Sequence, residues 1–250
     1  MWEYCICVDI GNDDVTEYIL DRLNAYIKDC DGILTCLDKG LFTHILIACN
    51  KFEKNRLQLV LQDIITHVIC YFYKKNYLLS NLRIKIADKI SKQAFISALL
   101  FFDNETDNYI VNKYLEINDK INLSSFFNFK LQSLKQKWQE LVDIANENEI
   151  YLYKDDTFLE LIKFLVDNIE VKNDVINIMS VDKSYAIYDA KFDAIKCPND
   201  MDEEKLVSTL IALSPKSINI YCSEILSSKI KTMICKLFEK RVKFVKQSVN

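Results

Sequence analysis

The stretch NLSSFFNFKLQSLKQKWQELVDIANENEIYLYKDDTFLELIKFLVDNI, residues 122–169, decides the fold. Leu123, Phe127, Leu131, Leu134, Trp138, Leu141 and Ala145 recur at steps of three and four, and Phe126 and Val142 widen the stripe. Lys130, Lys135, Lys137 and Glu140 fill the opposite face. This is the period of an amphipathic helix. Asn122 is placed to cap its start. The polar run 146–149 ends it. A second helix is signalled by Thr157 and Glu160, which have capping-box spacing behind Asp155 and Asp156. Its stripe is Phe158, Leu161, Ile162, Leu165, Val166 and Ile169. Stripes of this kind face a core, because tertiary packing supplies most of a helix's stability. The pair reads as a helical centre against which the flanks pack.

The flanks carry strands. Residues 2–10 are aromatic, β-branched and partly alternating, which predicts a strand. Gly11 marks a turn, and a helix follows with Val15, Tyr18, Ile19, Leu23 and Tyr26 on one side. Two apolar runs, 33–37 and 42–49, are joined by Asp38-Lys39-Gly40, a hairpin signal. The order there is β-α-β-β. Helices are expected over 53–77, 81–100 and 105–117. Beyond the central pair come strands at 175–179 and 185–188, a helix at 202–213 and a strand at 217–222. A helix capped by Ser223 and a strand at 241–245 complete the order β-β-α-β-α-β. The expected class is α+β, in segments 1–80, 81–170 and 171–250, the last two counted as one unit or as two.

Composition sets further bounds. The 250 residues include only three Gly and two Pro, so long Gly- or Pro-rich linkers are excluded. No apolar run reaches the ~18 residues of a membrane span, and the opening Met1-Trp2-Glu3-Tyr4 has no basic region of a secretory signal. These features predict a cytoplasmic protein. The nine cysteines lie mostly inside apolar runs, and no CxxC pair exists. They read as reduced, buried side chains. With only His44 and His67 available, no metal site and no cofactor are expected. His67 lies on a helix with no nucleophile marked out to pair with it. Asp103, Glu105 and Asp107 read as capping acids at a helix boundary. No catalytic residue emerges.

Charge offers one local signal. The chain is net −4, yet Lys229, Lys231, Lys236, Lys240, Arg241, Lys243 and Lys246 face a single acid, Glu239, near the C-terminus. Lys236, Lys240, Arg241 and Lys243 are the expected contacts for an anionic partner. Against nucleic acid stand the preference for Lys over Arg, the single aromatic Phe244 and a pI near 5.4. Weak, salt-sensitive nucleic-acid binding is the most these residues predict.

The segment EEKLVSTLIALSPKSINIY (203–221), followed by ICKLFEKRVKF (234–244), resembles the closing region of the YtxC-like sporulation proteins of endospore-forming Firmicutes. Members of that family end with a comparable helix, Ser-Pro break, strand and terminal helix. The region from Phe126 through Phe164 to Tyr188 is compatible with the family's middle, so the resemblance spans residues 120–245. It implies a sporulation context and brings no chemistry with it. The expected function is therefore a non-enzymatic role through an unidentified protein partner. The alternative is an enzyme whose site is assembled from dispersed residues such as His44, His67 and the carboxylates.

Overall fold

The structure is a computed structural model that describes residues 1–30, 32–83, 88–147, 155–181, 184–197, 201–221 and 226–245. In chain order the elements begin with β1 (Trp2–Asp9), α1 (Asp13–Ile27), β2 (Gly32–Lys39), β3 (Phe42–Cys49), α2 (Lys54–His67), α3 (Lys74–Asn81), α4 (Lys89–Phe101) and α5 (Asn104–Tyr114). Next are β4 (Lys120–Asn122), the single turn α6 (Leu123–Ser125), α7 (Gln132–Glu147) and α8 (Asp155–Asp167). The chain continues with β5 (Asn173–Val181), β6 (Ser184–Tyr188), α9 (Glu203–Leu213), β7 (Pro215–Ile220), α10 (Ser228–Phe238) and β8 (Val242–Phe244). The class is α+β, and the described residues form two four-stranded mixed sheets. Among the described residues no helix is long and apolar enough to cross a membrane.

Two compact units emerge: Met1–Tyr77 with Glu105–Glu140, and Leu78–Asn104 with Leu141–Asn250. The two helices read as one centre are thus divided. Residues 123–140 belong to the first unit, and α8 belongs to the second.

In the first unit the sheet order is β2-β3-β1-β4. Alternation sends Tyr4, Ile6 and Val8 to one face, where they meet Ile45, Ile47, Val15, Ile19, Leu57 and Leu61 in the core. Gly40 supplies the positive φ of 67° that the two-residue β2–β3 loop requires. The strand β4 joins β1 in parallel, with Ile121 opposite Ile6. Only three residues long, it carries too little pattern to be read from sequence. Asn122 caps the turn after it, accepting from the Ser125 N–H at 2.7 Å.

Val68–Tyr73 and Phe126–Lys130 are π-helical turns rich in aromatics. They meet through Tyr73 and Phe127, whose ring centroids are 5.0 Å apart, and Phe127 stacks on Trp138 at 5.6 Å. Beside them lies a buried charge cluster. Asp107 has no solvent exposure and Lys74 only 1%. Lys74 Nζ donates to Asp107 Oδ2 at 2.7 Å, Lys137 Nζ donates to Oδ1 at 2.6 Å, and Trp138 Nε1 donates to Oδ2 at 3.1 Å. Burial pulls the Lys74 ammonium below the usual lysine range, and the charge of Asp107 opposes that pull. Asp107 is therefore no capping acid; it is the ionic centre of this core.

The second unit orders its sheet β6-β5-β7-β8, with β5–β7 and β7–β8 parallel and β5–β6 antiparallel. Ile176, Ile178, Ile218 and Ile220 are buried, as are Leu206, Leu210, Ile230 and Ile234 from α9 and α10. Asn177 is buried within the sheet but satisfied: it donates to the Asp189 carbonyl at 2.7 Å and accepts from Asn219 at 2.9 Å. Asp202 caps α9, accepting from Lys205 N–H at 2.8 Å, and Ser214 closes it in the left-handed conformation.

Several expected boundaries move. No helix runs unbroken from 81 to 100. α3 ends at Asn81, and Asp88 caps a new start, accepting from Ser91 N–H at 2.9 Å. α8 begins at Asp155, so Thr157 and Glu160 lie inside it. The last helix is capped by Ser227, whose hydroxyl accepts from Ile230 N–H at 3.3 Å. The expected cap Ser223 and the turns at 182–183 and 198–200 fall outside the described residues.

The buried cluster makes a stability prediction. Asp107→Ala removes the carboxylate from a buried ammonium and is expected to cost about 3–5 kcal/mol. Lys74→Met also strands a buried charge, but Asp107 keeps Lys137 and Trp138 as donors, so it should cost less than Asp107→Ala. Urea denaturation of the two variants reads the order directly.

Candidate functional site

The basic residues near the C-terminus lie on α10 and in the segment that follows it. Ile230, Met233, Ile234 and Leu237 turn one face of α10 into the core, which leaves the lysines on the outer face. Part of their charge is answered by acids from other elements. Lys229 pairs with Asp88. Arg241 Nη2 lies 3.1 Å from Asp167 Oδ1, and Lys163 Nζ lies 3.0 Å from Glu239 Oε1. Of the four expected contacts, Lys240 and Lys243 are exposed, Lys236 lines a groove, and Arg241 is committed to Asp167. Lys246 lies outside the described residues.

That groove has a volume of about 870 Å³. Leu159 and Phe244 supply its apolar lining. Glu160, Lys163, Lys231 and Lys236 put both signs of charge around it. Phe244 remains 46% exposed, an apolar side chain available to a partner.

A second constellation lies in the first unit, where sequence reading placed none. The alternation of β1 puts Cys5 and Cys7 on one face, opposite the face that carries Tyr4, Ile6 and Val8. The antiparallel register then sets His44 of β3 directly across from Cys7. The two Sγ atoms are 3.7 Å apart. His44 Nδ1 lies 3.7 Å from Cys5 Sγ and 3.5 Å from Cys7 Sγ. Cys7 is fully buried, and His44 is half-buried. Burial first, and then the hydrogen bond with Cys7, push the Cys5 thiol up to about 11. A thiol held there is not a ready nucleophile at neutral pH. The i, i+2 spacing of the cysteines was the available signal. The histidine could not be added, because its pairing depends on which strand lies beside β1.

The other histidine has a structural setting. His67 stacks between Tyr18, at 4.6 Å, and Tyr71, at 5.3 Å between ring centroids. Arg22 sits 5.9 Å over the Tyr18 ring and extends the stack.

A family model described as the YtxC-like family matches residues 47–243, most of the chain. No curated protein and no solved structure matches it.

The ion pairs decide which basic residues can be altered cleanly. Lys240→Glu with Lys243→Glu should leave thermal stability nearly unchanged, since both side chains are exposed. Arg241→Glu sets like charge beside Asp167 and is expected to lose on the order of 1 kcal/mol. Filter binding of DNA or RNA should be weak at low salt and vanish at physiological salt. Tight binding that persists in salt and is lost in the Lys240/Lys243 variant would contradict this.

Proposed function

The chain belongs to the YtxC-like family, and from that premise we propose that it is a cytoplasmic sporulation protein that acts by binding another protein. Catalysis is not part of this reading. The groove beside α8 and α10 is the observation that supports it. An apolar lining bordered by both signs of charge is the make-up of a protein interface, in which apolar burial gives affinity and charge complementarity gives orientation. A polyanion would meet Glu160 and Glu239 along with the lysines, so the mixed border favours a partner of mixed charge.

The test uses the full chain as bait in extracts of sporulating and vegetative cells. A partner is expected from the sporulating extract with the unaltered chain. Phe244→Asp combined with Lys231→Glu should reduce its recovery at least ~10-fold, the effect of losing ~1.4 kcal/mol, while circular dichroism stays native. Equal recovery with the altered groove would remove the groove from the mechanism. Turnover of a metabolite by the purified chain, with no specific partner, would replace this reading with an enzymatic one.

A further inference from the structure

We propose that Cys5, Cys7 and His44 form a zinc site with three protein ligands and an open fourth position. All three offer one ligand atom each, and these atoms lie within 4.8 Å of one another. The inference goes beyond the family assignment, because none of the three falls in the matched region 47–243.

Geometry carries the argument. Tetrahedral zinc bonds sulfur at about 2.3 Å and imidazole nitrogen at about 2.05 Å, which requires edges of about 3.8 Å between sulfurs and about 3.6 Å between sulfur and nitrogen. The observed edges are 3.7 Å between the sulfurs and 3.7 and 3.5 Å from sulfur to Nδ1. Each agrees within the ~0.2 Å tolerance for ligand distances in such sites.

The chemistry of the donors selects the ion. Two thiolates and an imidazole suit zinc and disfavour magnesium and calcium, which take oxygen ligands. On binding, each thiol gives its proton to solvent and one sulfur–zinc bond forms per cysteine. His44 donates the Nδ1 lone pair as neutral imidazole, with its proton on Nε2. The ion exchanges water for these donors and keeps water at the fourth position. Cys5 also lines a groove of about 590 Å³ with Thr35, Leu46 and Asp119, and His44 is half-buried.

Cobalt(II) is the probe, as a coloured stand-in for zinc. The full chain, reduced and stripped by a chelator, should bind one equivalent. It should show thiolate-to-cobalt charge-transfer and tetrahedral ligand-field bands that one equivalent of zinc abolishes. Cys7→Ser and His44→Ala should each weaken binding by more than ~100-fold, beyond what loss of an outer-shell partner costs. Cys36→Ser, at an exposed cysteine, should change nothing. A second measurement needs no variant: zinc should slow alkylation of Cys5 and Cys7, mapped by mass spectrometry, and leave exposed Cys36 and Cys235 at their original rates. The site is refuted by an octahedral spectrum without charge transfer or by binding that survives both substitutions. It is equally refuted if the natively folded chain takes up no metal, or if alkylation of Cys5 and Cys7 is indifferent to zinc.

Discussion

The Asp107 carboxylate is the constraint on which the first unit rests. A charge removed from water must be paired and hydrogen-bonded, or it neutralises. Asp107 meets that demand with donors from two separate stretches: Lys74 at the start of α3, and Lys137 and Trp138 on α7. Each donor must arrive in register, so the carboxylate fixes the rotation of both helices about their axes. The two π-helical turns lie just before those helices. Val68–Tyr73 ends immediately before Lys74, and Phe126–Lys130 ends just before α7. An inserted residue in a helix shifts the faces that follow it. Here that shift accompanies the delivery of Lys74 to a buried carboxylate and the stacking of Phe127 on Trp138.

A sheet with one face on the core leaves its other face to be used differently. In β1 the core face holds Tyr4, Ile6 and Val8, and the opposite face holds Cys5 and Cys7. Counting cysteines as small apolar residues merges the two sets into one hydrophobic run. Separating them by the period of two shows that the cysteines do not join the main core at all. The strand partner then matters, because a slip of one residue in β3 would replace His44 with Thr43 or Ile45 across from Cys7. The Gly40 loop fixes β2 against β3, and the buried Ile45 and Ile47 fix β3 against β1.

What the sequence made legible was local. The stripes of α7 and α8, the cap Asn122 and the hairpin at Gly40 are set by residues within a turn or two of one another. The β-α-β-β and β-β-α-β-α-β orders followed from such signals. What stayed hidden was set at long range. The parallel pairing of β4 with β1 joins residues more than a hundred positions apart. Asp107 looked like a capping acid because capping is the local use of such a residue, and its distant partners Lys74 and Lys137 carried no mark of the pairing. The start of α10 is set by Ser227, whose hydroxyl accepts from Ile230 N–H while Glu203 accepts from the Ser227 N–H and hydroxyl; the expected cap Ser223 lies outside the described residues.

The same distinction governs the charge near the C-terminus. Along the chain, residues 229–246 are a block of cations facing one acid. In space the acids come from elsewhere: Asp88 from before α4 and Asp167 from the end of α8. Pairing of this kind lowers the net field without removing the individual charges. A field summed over a mixed surface falls off faster than that of a uniform basic face, so it steers a distant polyanion poorly. At contact distance, each Lys or Glu still demands its own complement. A surface built this way discriminates by pattern at close range more than by attraction at long range, which is how partner proteins are told apart.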